Sequence, residues 1–295
     1  MLEYILYLFA KFLAVSFPIP LKYWIGLRVS DMYFLFHKKN RKAVLSNFGK
    51  IPLQKEKHEV AREMFHNFSK SLADFLFISQ LNKYNWTKWV KTVNEQHFDD
   101  AYRKKKGIIA LTAHIGNWEL GGVILSLMGY PVSAIVLPQR NRAVNNIFFK
   151  QRLAKGLNSI FLGQNLREGV RRLKRGEVLA IVGDRNIGFS RNIKDKTANK
   201  TTGVEVDFFG RKAYFPKGPA ILAYWTQALI LPGFTVRGKD SKYTLHFERP
   251  IQIERCEDKE EFIRINTQKI AAVIEKYVRL YPEQWCVFEE VWQES

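Results

Sequence analysis

A histidine and a glutamate five positions apart have the residue types and spacing best suited to chemistry in this chain. His114 and Glu119 stand in the stretch AHIGNWELGG, directly after an apolar run. A neutral imidazole can take a proton from a hydroxyl near neutral pH, and a carboxylate on its other ring nitrogen fixes the tautomer and stabilises the imidazolium. The sequence has no G-x-S-x-G nucleophile motif, so the activated hydroxyl need not be the protein's own and could belong to a substrate.

The same residues also suit an ordinary turn followed by an ordinary helix. Asn117 is a good N-cap residue, and Glu119 falls in the first turn, where a carboxylate interacts favourably with the helix dipole. His114 would then merely occupy the turn. Spacing alone leaves the catalytic and the structural interpretation open.

Strand and helix patterns alternate through the centre of the chain and would position His114 at the edge of a sheet. Short apolar runs rich in β-branched residues predict strands at 107–113, 132–138, 158–163 and 178–184. Helical patterns lie between them, near 117–129, 142–155 and 165–175. This alternation predicts an α/β fold with a central, largely parallel sheet flanked by helices. Ligands bind such sheets at the carboxyl ends of the strands, where His114 would lie.

The flanking sequence extends this pattern on both sides. An amphipathic helix is predicted over residues 55–81, and further helices near 217–227 and 258–280. Later strands are expected at 204–209, 229–236 and 242–249. The longest irregular stretch, 185–203, is rich in basic residues and suits a mobile cover over an anionic site. We therefore expect a single α/β domain over residues 21–295.

Residues 1–20 predict a membrane-associated helix. The run is close to the ~20 apolar residues that span a bilayer, but Lys11 interrupts it. On a helix, Glu3, Tyr7 and Lys11 share one face while apolar side chains occupy the rest, which is typical of a helix in the membrane interface or tilted through it. A core helix of a soluble protein is the alternative. The basic residues that follow predict that the rest of the chain lies on the cytoplasmic side.

The net charge of the chain is strongly positive, with 47 lysine and arginine residues against 28 acidic ones and a formal charge of +19. Such a field attracts polyanions, namely nucleic acid, anionic lipid headgroups or an acidic protein. Basic runs stand out at 37–42, 103–106 and 171–175, although each alone is typical of a solvated face. The two cysteines, Cys256 and Cys286, lack metal-ligand spacing, so we expect neither a zinc site nor a disulfide.

Several stretches on either side of the H-x4-E pair complete a recognisable order of motifs. The most specific is VDFFGRKAYFPKGPAILAYWTQALILPGF (206–234). The others are NRKAVLSNFG (40–49), LPQRNRAVNNIFFKQRLAKG (137–156), LAIVGDRNIG (179–188) and YPEQWCVFEEVW (281–292). Together they resemble the lysophospholipid acyltransferase superfamily, above all the bacterial lipid A (lauroyl/myristoyl) acyltransferases and the related mycobacterial mannoside acyltransferases. The resemblance favours the catalytic interpretation of His114.

The resemblance also assigns roles to residues at matching positions. His114 would be the general base and Glu119 its orienting carboxylate, while Asp184 matches an acidic position that the family places near the histidine. Asn117 lies inside the motif and is expected to contact substrate. The basic residues expected to hold phosphate or the phosphopantetheine of the donor are Arg140, Arg152 and Arg185.

The function that the resemblance implies is transfer of a fatty acyl chain from an acyl thioester to a hydroxyl of a membrane glycolipid, above all a lipid A precursor. The co-substrate would be an acyl carrier protein thioester or acyl-CoA, with no bound cofactor and no metal. The positive charge would bind an anionic membrane surface and an acidic acyl carrier protein. The expected location is the cytoplasmic face of the bacterial inner membrane.

Other acceptors and other classes of protein stay open. After PEQW the chain continues CVFEEVW, whereas many lipid A enzymes have an aromatic residue, a histidine and a basic pair there. Another glycolipid or a lysophospholipid is therefore an alternative acceptor. In a membrane-bound thioesterase, His114 would activate water instead of a lipid hydroxyl. A nucleic-acid-binding module would also be basic, but the sequence has no recognised nucleic-acid motif, and we expect no such partner.

Overall fold

The apolar runs at the centre of the chain are the strands of one sheet in a computed structural model of the protein. The structure describes residue 12 and residues 16–138, 141–162, 166–186 and 203–292. Within these residues the strands are β1 (Val90–Val93), β2 (Ile108–Thr112), β3 (Val132–Val136), β4 (Asn158–Phe161), β5 (Val178–Val182), β6 (Gly203–Phe208), β7 (Arg211–Pro216), β8 (Leu229–Arg237) and β9 (Tyr243–Phe247). The helices are α1 (Ile19–Phe36), α2 (Lys38–Phe48), α3 (Lys57–Phe77), α4 (Glu95–Arg103), α5 (Trp118–Leu127), α6 (Arg142–Leu153), α7 (Leu166–Lys174), α8 (Gly218–Thr226) and α9 (Lys259–Leu280).

The main sheet is largely parallel, as the sequence predicts. Its strand order is β1-β9-β8-β2-β5-β3-β4. Strands β8, β2, β5, β3 and β4 run parallel to their neighbours, whereas β9 is antiparallel to β8 and pairs in parallel with β1 at the edge. Strands β2 and β5 are adjacent, so the residues that follow them meet at the same edge of the sheet.

Both faces of the sheet are buried, and for that reason its strands read as continuous apolar runs. Ile108 belongs to a core cluster with residues of α4 and α5 on one face. Its neighbour Ile109 belongs to a second cluster with residues of α3 and α9 on the other face. The sheet is thus the middle layer of three, and the strand ends are where polar side chains can gather around a ligand.

Helices α1, α2 and α3 precede the sheet. α3 matches the predicted amphipathic stripe, because Val60, Met64 and Phe65 are all buried. α1 packs closely along it: a Cβ atom built at Gly26 would lie 2.7 Å from Ser69 Oγ. Of the helix predicted over residues 1–20, residues 1–11 and 13–15 lie outside the described part of the chain. Among the described helices, none has the length and apolar character needed to cross a bilayer.

β7, β1 and α4 are among the elements that the sequence analysis did not predict. β7 pairs antiparallel with β6 in a separate two-stranded sheet, while β1 and α4 lie beside β9. Each is short or rich in charged residues, so its apolar pattern is weak. The cover expected at 185–203 falls largely on residues 187–202, outside the described residues.

Candidate active site

The turn after β2 carries His114 and is held from two directions. Gly116 has a φ of 60°, and a Cβ atom there would lie 2.1 Å from the Thr235 carbonyl oxygen of β8, so only glycine fits. The backbone N–H of Asn117 donates to that carbonyl at 2.9 Å. The N–H of Gly116 donates to the Gln284 carbonyl, also at 2.9 Å. The turn is therefore fixed between β8 and the segment after α9.

The side chain of His114 is hydrogen-bonded to the carboxylate of Asp184. Because Thr112 of β2 pairs with Val182 of β5, the residues two positions further on lie side by side. His114 Nδ1 lies 2.7 Å from Asp184 Oδ1, and the backbone N–H of His114 donates to Oδ2 at 3.0 Å. Asp184 is thus bonded to both the imidazole and the backbone of His114, and this fixes the orientation of the ring.

The charge of Asp184 determines which nitrogen of His114 is basic. Burial raises the pKa of Asp184, but the charge and hydrogen bonds of His114 and the hydrogen bond from Trp285 outweigh it and hold the pKa below its usual range. An ionised carboxylate accepts the Nδ1 proton, so Nε2 is the basic nitrogen. No residue in the described part of the chain hydrogen-bonds Nε2, and the side chain is 16% exposed. The arrangement leaves Nε2 able to take a proton from a ligand.

The PEQW stretch supplies further contacts to this pair. Trp285 Nε1–H donates to Asp184 Oδ2 at 3.1 Å, and the backbone N–H of Cys286 donates to the His114 carbonyl at 2.7 Å. The side-chain amide of Gln284 bonds both backbone groups of Arg237 in β8, at 2.8 Å and 3.0 Å. The segment after α9 therefore holds His114, Asp184 and the adjacent strand in one arrangement.

Glu119 contacts Arg152 and not the imidazole that we expected it to orient. Arg152 Nε and Nη2 donate to the two carboxylate oxygens at 2.9 Å and 2.5 Å. The Arg152 guanidinium lies near the stacked rings of Phe75 and Phe148. The physical reason for the difference is that Glu119 lies in the first turn of α5, facing α6, whereas Asp184 ends the strand next to β2.

Asn117 is buried and caps α5, with its Oδ1 accepting the Leu120 N–H at 3.0 Å. Its Nδ2 donates to the Tyr243 hydroxyl at 3.3 Å. The tyrosine belongs to what we call the Arg237 cluster, a set of polar side chains behind the turn that comprises Tyr23, Ser71, Asp74, Arg237 and Tyr243. We expected Asn117 to contact substrate, but its side chain instead caps α5 and bonds the Arg237 cluster.

The remaining predicted residues lie around this edge of the sheet or outside the described chain. Arg185 Nη2 lies 2.6 Å from Glu289 Oε1. The ring of Trp118 is 4.8 Å from that of His114, in an edge-to-face arrangement. Arg140 lies outside the described residues. Over the described ranges, no group of three or more His, Cys, Asp or Glu side chains is placed to hold a metal ion.

A histidine–aspartate pair at the carboxyl edge of a mostly parallel sheet, with Nε2 open, defines an α/β protein equipped for general-base chemistry. Comparison with known proteins places it more narrowly. The family model described as bacterial lipid A biosynthesis acyltransferase matches residues 1–294. The chain belongs to this acyltransferase family.

Two curated relatives agree with this assignment. The chain is 22% identical over 234 residues to a lipid A biosynthesis acyltransferase of Haemophilus influenzae, covering 79% of this chain and 68% of that protein. It is 27% identical over 140 residues to a phosphatidylinositol mannoside acyltransferase of Mycobacterium tuberculosis, covering 46% of this chain. The match spans only 40% of the length of the mycobacterial protein.

Two features of the site were missed by reasoning from the sequence. One is the hydrogen bond from Trp285 to Asp184, although the PEQW stretch was recognised as a motif and could have suggested a contact with the site. The other is the Arg237 cluster, which joins residues of α1, α3, β8 and β9. No sequence signal pointed to the cluster, because its members lie far apart in the chain and follow no motif.

Proposed function

We propose that this protein transfers a fatty acyl chain from an acyl thioester to a hydroxyl of a membrane glycolipid, above all a lipid A precursor, with His114 as the general base. The observation that carries the proposal is the 2.7 Å contact between His114 Nδ1 and Asp184 Oδ1, with no described residue bonded to Nε2. Family membership supplies the reaction class.

The reaction follows from this geometry. Nε2 of His114 takes the proton of the acceptor hydroxyl while the hydroxyl oxygen attacks the thioester carbonyl carbon. Asp184 stabilises the imidazolium that forms. The negative charge on the tetrahedral oxygen meets donors near the strand ends, either backbone amides at the start of α5 or an arginine. The carbon–sulfur bond then breaks, and the departing thiolate receives the proton from Nε2.

The pair of Glu119 and Arg152 suits the positioning of a phosphate beside this base. Glu119 occupies Nε and Nη2 of Arg152, and no residue in the described ranges hydrogen-bonds Nη1. A guanidinium that is fixed by one carboxylate loses little further freedom when it binds an anion. Arg152 would hold a phosphate of the donor or the acceptor through Nη1, while Glu119 keeps the guanidinium in place.

The surface of α1 supports attachment to the inner membrane at its cytoplasmic face. Several of its large apolar side chains are exposed, namely Leu21, Trp24, Val29, Met32, Leu35 and Phe36. An apolar helix surface followed by basic residues is typical of a helix that lies in the interface of an anionic bilayer. Attachment of this kind would present the carboxyl edge of the sheet to lipid acceptors.

The charge of the protein supports an acidic acyl carrier protein as the donor. A cavity of about 440 Å³ along α2 and at the start of α3 is lined by Lys38, Arg41, Lys42, Leu45, Ser46 and Lys57. Four of these side chains are cations, and the formal charge of the whole chain is +19. Complementary charge of this kind speeds the encounter with an acidic partner.

The proposal is tested by mixing detergent-extracted protein with lipids from its own source and an acyl carrier protein thioester. Mass spectrometry then searches for a lipid that has gained one acyl group. We expect a product with the wild type, about 10²–10⁴-fold less with His114→Ala, and full activity with His58→Ala, a matched change at an exposed histidine.

Two other outcomes would change the assignment. Free fatty acid without an acylated lipid would favour the thioesterase. Equal product from wild type and His114→Ala would exclude His114 as the base.

A further inference from the structure

Three cations surround one tyrosine ring where α1 packs on α3. The centroid of the Tyr23 ring lies 6.0 Å from Lys22 Nζ, 5.9 Å from Lys70 Nζ and 5.4 Å from Arg237 Cζ. Among the described residues, Asp74 supplies the one carboxylate that bonds Tyr23 and Arg237. The site is therefore rich in positive charge before any ligand is bound.

Arg237 already uses that carboxylate. Its Nη1 lies 2.8 Å from Asp74 Oδ2, and the hydroxyls of Tyr23 and Tyr243 donate to Asp74 as well. Lys22 and Lys70 have no carboxylate within ion-pair distance in the described part of the chain. Two positive charges thus stand beside an ion pair that is already complete.

Lys22 is the less ordinary of the two lysines, because only 4% of its surface is exposed. Its Nζ lies 4.1 Å from the centroid of the Phe77 ring, which attracts a cation but carries no net charge. Burial lowers the pKa of Lys22 and of Lys70, and the positive charge of Arg237 lowers both further against the pull of Asp74. A lysine buried without an anion is costly, and a bound anion would remove that cost.

The position of the lysines limits what that anion can be. The Ser71 hydroxyl donates to the Gly116 carbonyl at 3.1 Å, and the Ser71 backbone carbonyl accepts from Asn117 Nδ2 at 3.3 Å. Arg237 bonds the same hydroxyl and lies against the Tyr23 ring that both lysines flank, so the group of cations is connected to the turn through Arg237 and Ser71. On the other side, Trp24 follows Tyr23 in α1 and is 59% exposed on the apolar surface. An anion here would sit between the apolar surface of α1 and the turn that carries His114.

We propose that Lys22 and Lys70, with Arg237 behind them, form a binding site for the phosphate of a membrane-lipid headgroup. This proposal rests on the proposed function and deepens it, because it adds a phosphate to the chemistry by which the acceptor is recognised. The apolar surface beside the site favours a lipid over the other phosphate-bearing ligand of such a reaction, the phosphopantetheine of the donor. Two ammonium groups suit a phosphomonoester, which carries up to two negative charges.

The binding experiment compares purified wild type with the double variant Lys22→Met/Lys70→Met. The matched control is Lys104→Met/Lys106→Met, which removes the same charge from exposed positions. Flotation measures binding to vesicles of digalactosyldiacylglycerol that contain either phosphatidic acid or an equal charge of oleate. We expect the double variant to bind phosphatidic acid vesicles at least tenfold more weakly than the control variant, with little difference between the two on oleate vesicles.

Soluble phosphopantetheine distinguishes the two sources of phosphate. If the lysines bind a lipid phosphate, this molecule protects wild type and double variant equally against thermal unfolding. Protection that depends on Lys22 and Lys70, without a difference on phosphatidic acid vesicles, would assign the site to the donor and overturn the proposal.

Thermal unfolding without any anion separates a ligand role from a structural one. Because both lysines lack a carboxylate partner among the described residues, the double variant should unfold at the same or a higher temperature than wild type. A clear decrease would mean that the lysines hold the fold, and the proposal would fail. None of these measurements needs turnover, so they test the site separately from the proposed function. If the double variant binds phosphatidic acid vesicles as well as the control variant does, while the wild type transfers acyl groups, the site is refuted and the proposed function stands.

Discussion

Two largely buried carboxylates, Asp184 and Asp74, lie at the same edge of the sheet, and their partners are of different kinds. In one pair, Asp184 bonds a histidine whose second nitrogen meets no described residue. In the other, Asp74 bonds Arg237, and tyrosine hydroxyls complete the set of partners. Burial works against the charge of Arg237, yet the surrounding Tyr243, Asp74 and Tyr23 raise its pKa, so the guanidinium stays charged. Only the first pair presents a nitrogen that can take a proton from a ligand.

The comparison shows that a largely buried carboxylate can serve two purposes, depending on its partner. A titratable partner with an open nitrogen makes the His114 pair suitable for catalysis. A permanently charged partner, bonded through Nη1 and Nη2, makes the Arg237 cluster a rigid support for Asn117, the cap of α5. The two are coupled, because Ser71 of the cluster also bonds the carbonyl of Gly116 in the catalytic turn.

Loss of the Asp184 carboxylate should have the largest effect on activity. In Asp184→Asn the amide no longer stabilises the imidazolium and favours the wrong tautomer, so we expect turnover to fall about 10³–10⁴-fold. Trp285→Phe, which keeps the carboxylate and removes one donor to it, should cost only about tenfold. Steady-state kinetics with the acylated lipid as product measures both. A large loss in Glu119→Gln with none in Asp184→Asn would assign the orienting role to Glu119.

Removal of Arg237 should instead act on stability. Arg237→Met leaves the Asp74 carboxylate buried without its cation, and we expect the free energy of unfolding to fall by about 3–5 kcal/mol. Lys212→Met, which removes the exposed ion pair with Glu205, should leave it unchanged. Urea titration in detergent followed by tryptophan fluorescence gives both values. If both substitutions change the free energy of unfolding equally, the Arg237 cluster contributes no more to stability than an ordinary surface pair.

The shared turn can be tested with two glycines of similar φ. Gly116→Ala places a methyl group 2.1 Å from the Thr235 carbonyl oxygen, so the turn must move, and we expect a loss of about 2–4 kcal/mol in stability and most of the activity. Gly210 has a φ of 68° with nothing within 4 Å of its Cβ position, so Gly210→Ala should cost about 1 kcal/mol and little activity. If both variants keep full activity, the geometry of the turn does not limit catalysis.

The smallest expected effect is the acid dependence of stability. Because the folded pKa of Asp184 is lower than the unfolded value of about 3.9, its contribution is complete above that pH and is lost as the pH falls toward the folded value. The wild type should lose up to about 1.4 kcal/mol per pH unit there from this residue. Asp184→Asn should lack this part of the dependence, which urea midpoints measured at falling pH would reveal. Identical slopes would show that Asp184 has the same pKa in both states.

The sequence predicted the elements that have strong apolar periodicity and the position of His114 at the end of a strand. Strands β2 and β5 were predicted because both faces are buried, and His114 was expected where β2 ends. β1 was missed because its four residues include Lys91 and Thr92 at an edge of the sheet. Apolar periodicity therefore predicted the buried strands correctly. It failed for a short edge strand such as β1, whose formation depends on pairing with β9.

The partner of His114 required information that a motif does not hold. Whether Asp184 or Glu119 meets the imidazole depends on the register of β2 against β5, which pairs Thr112 with Val182. Contacts such as Trp285 to Asp184 depend on the whole path of the chain. Spacing along the sequence could single out His114, but its carboxylate partner follows only from the pairing of two distant strands.

The segment after α9 has a consequence for how the protein comes into being. Most strands of the main sheet lie between Gly116 and Gln284 in the sequence. Gln284 nevertheless bonds the turn at Gly116, and Trp285 bonds Asp184. Long-range contacts of this kind form late in folding. During synthesis the strands of the sheet can pair before Gln284 and Trp285 leave the ribosome, so the turn and Asp184 gain these contacts only after the strands that carry them have been made.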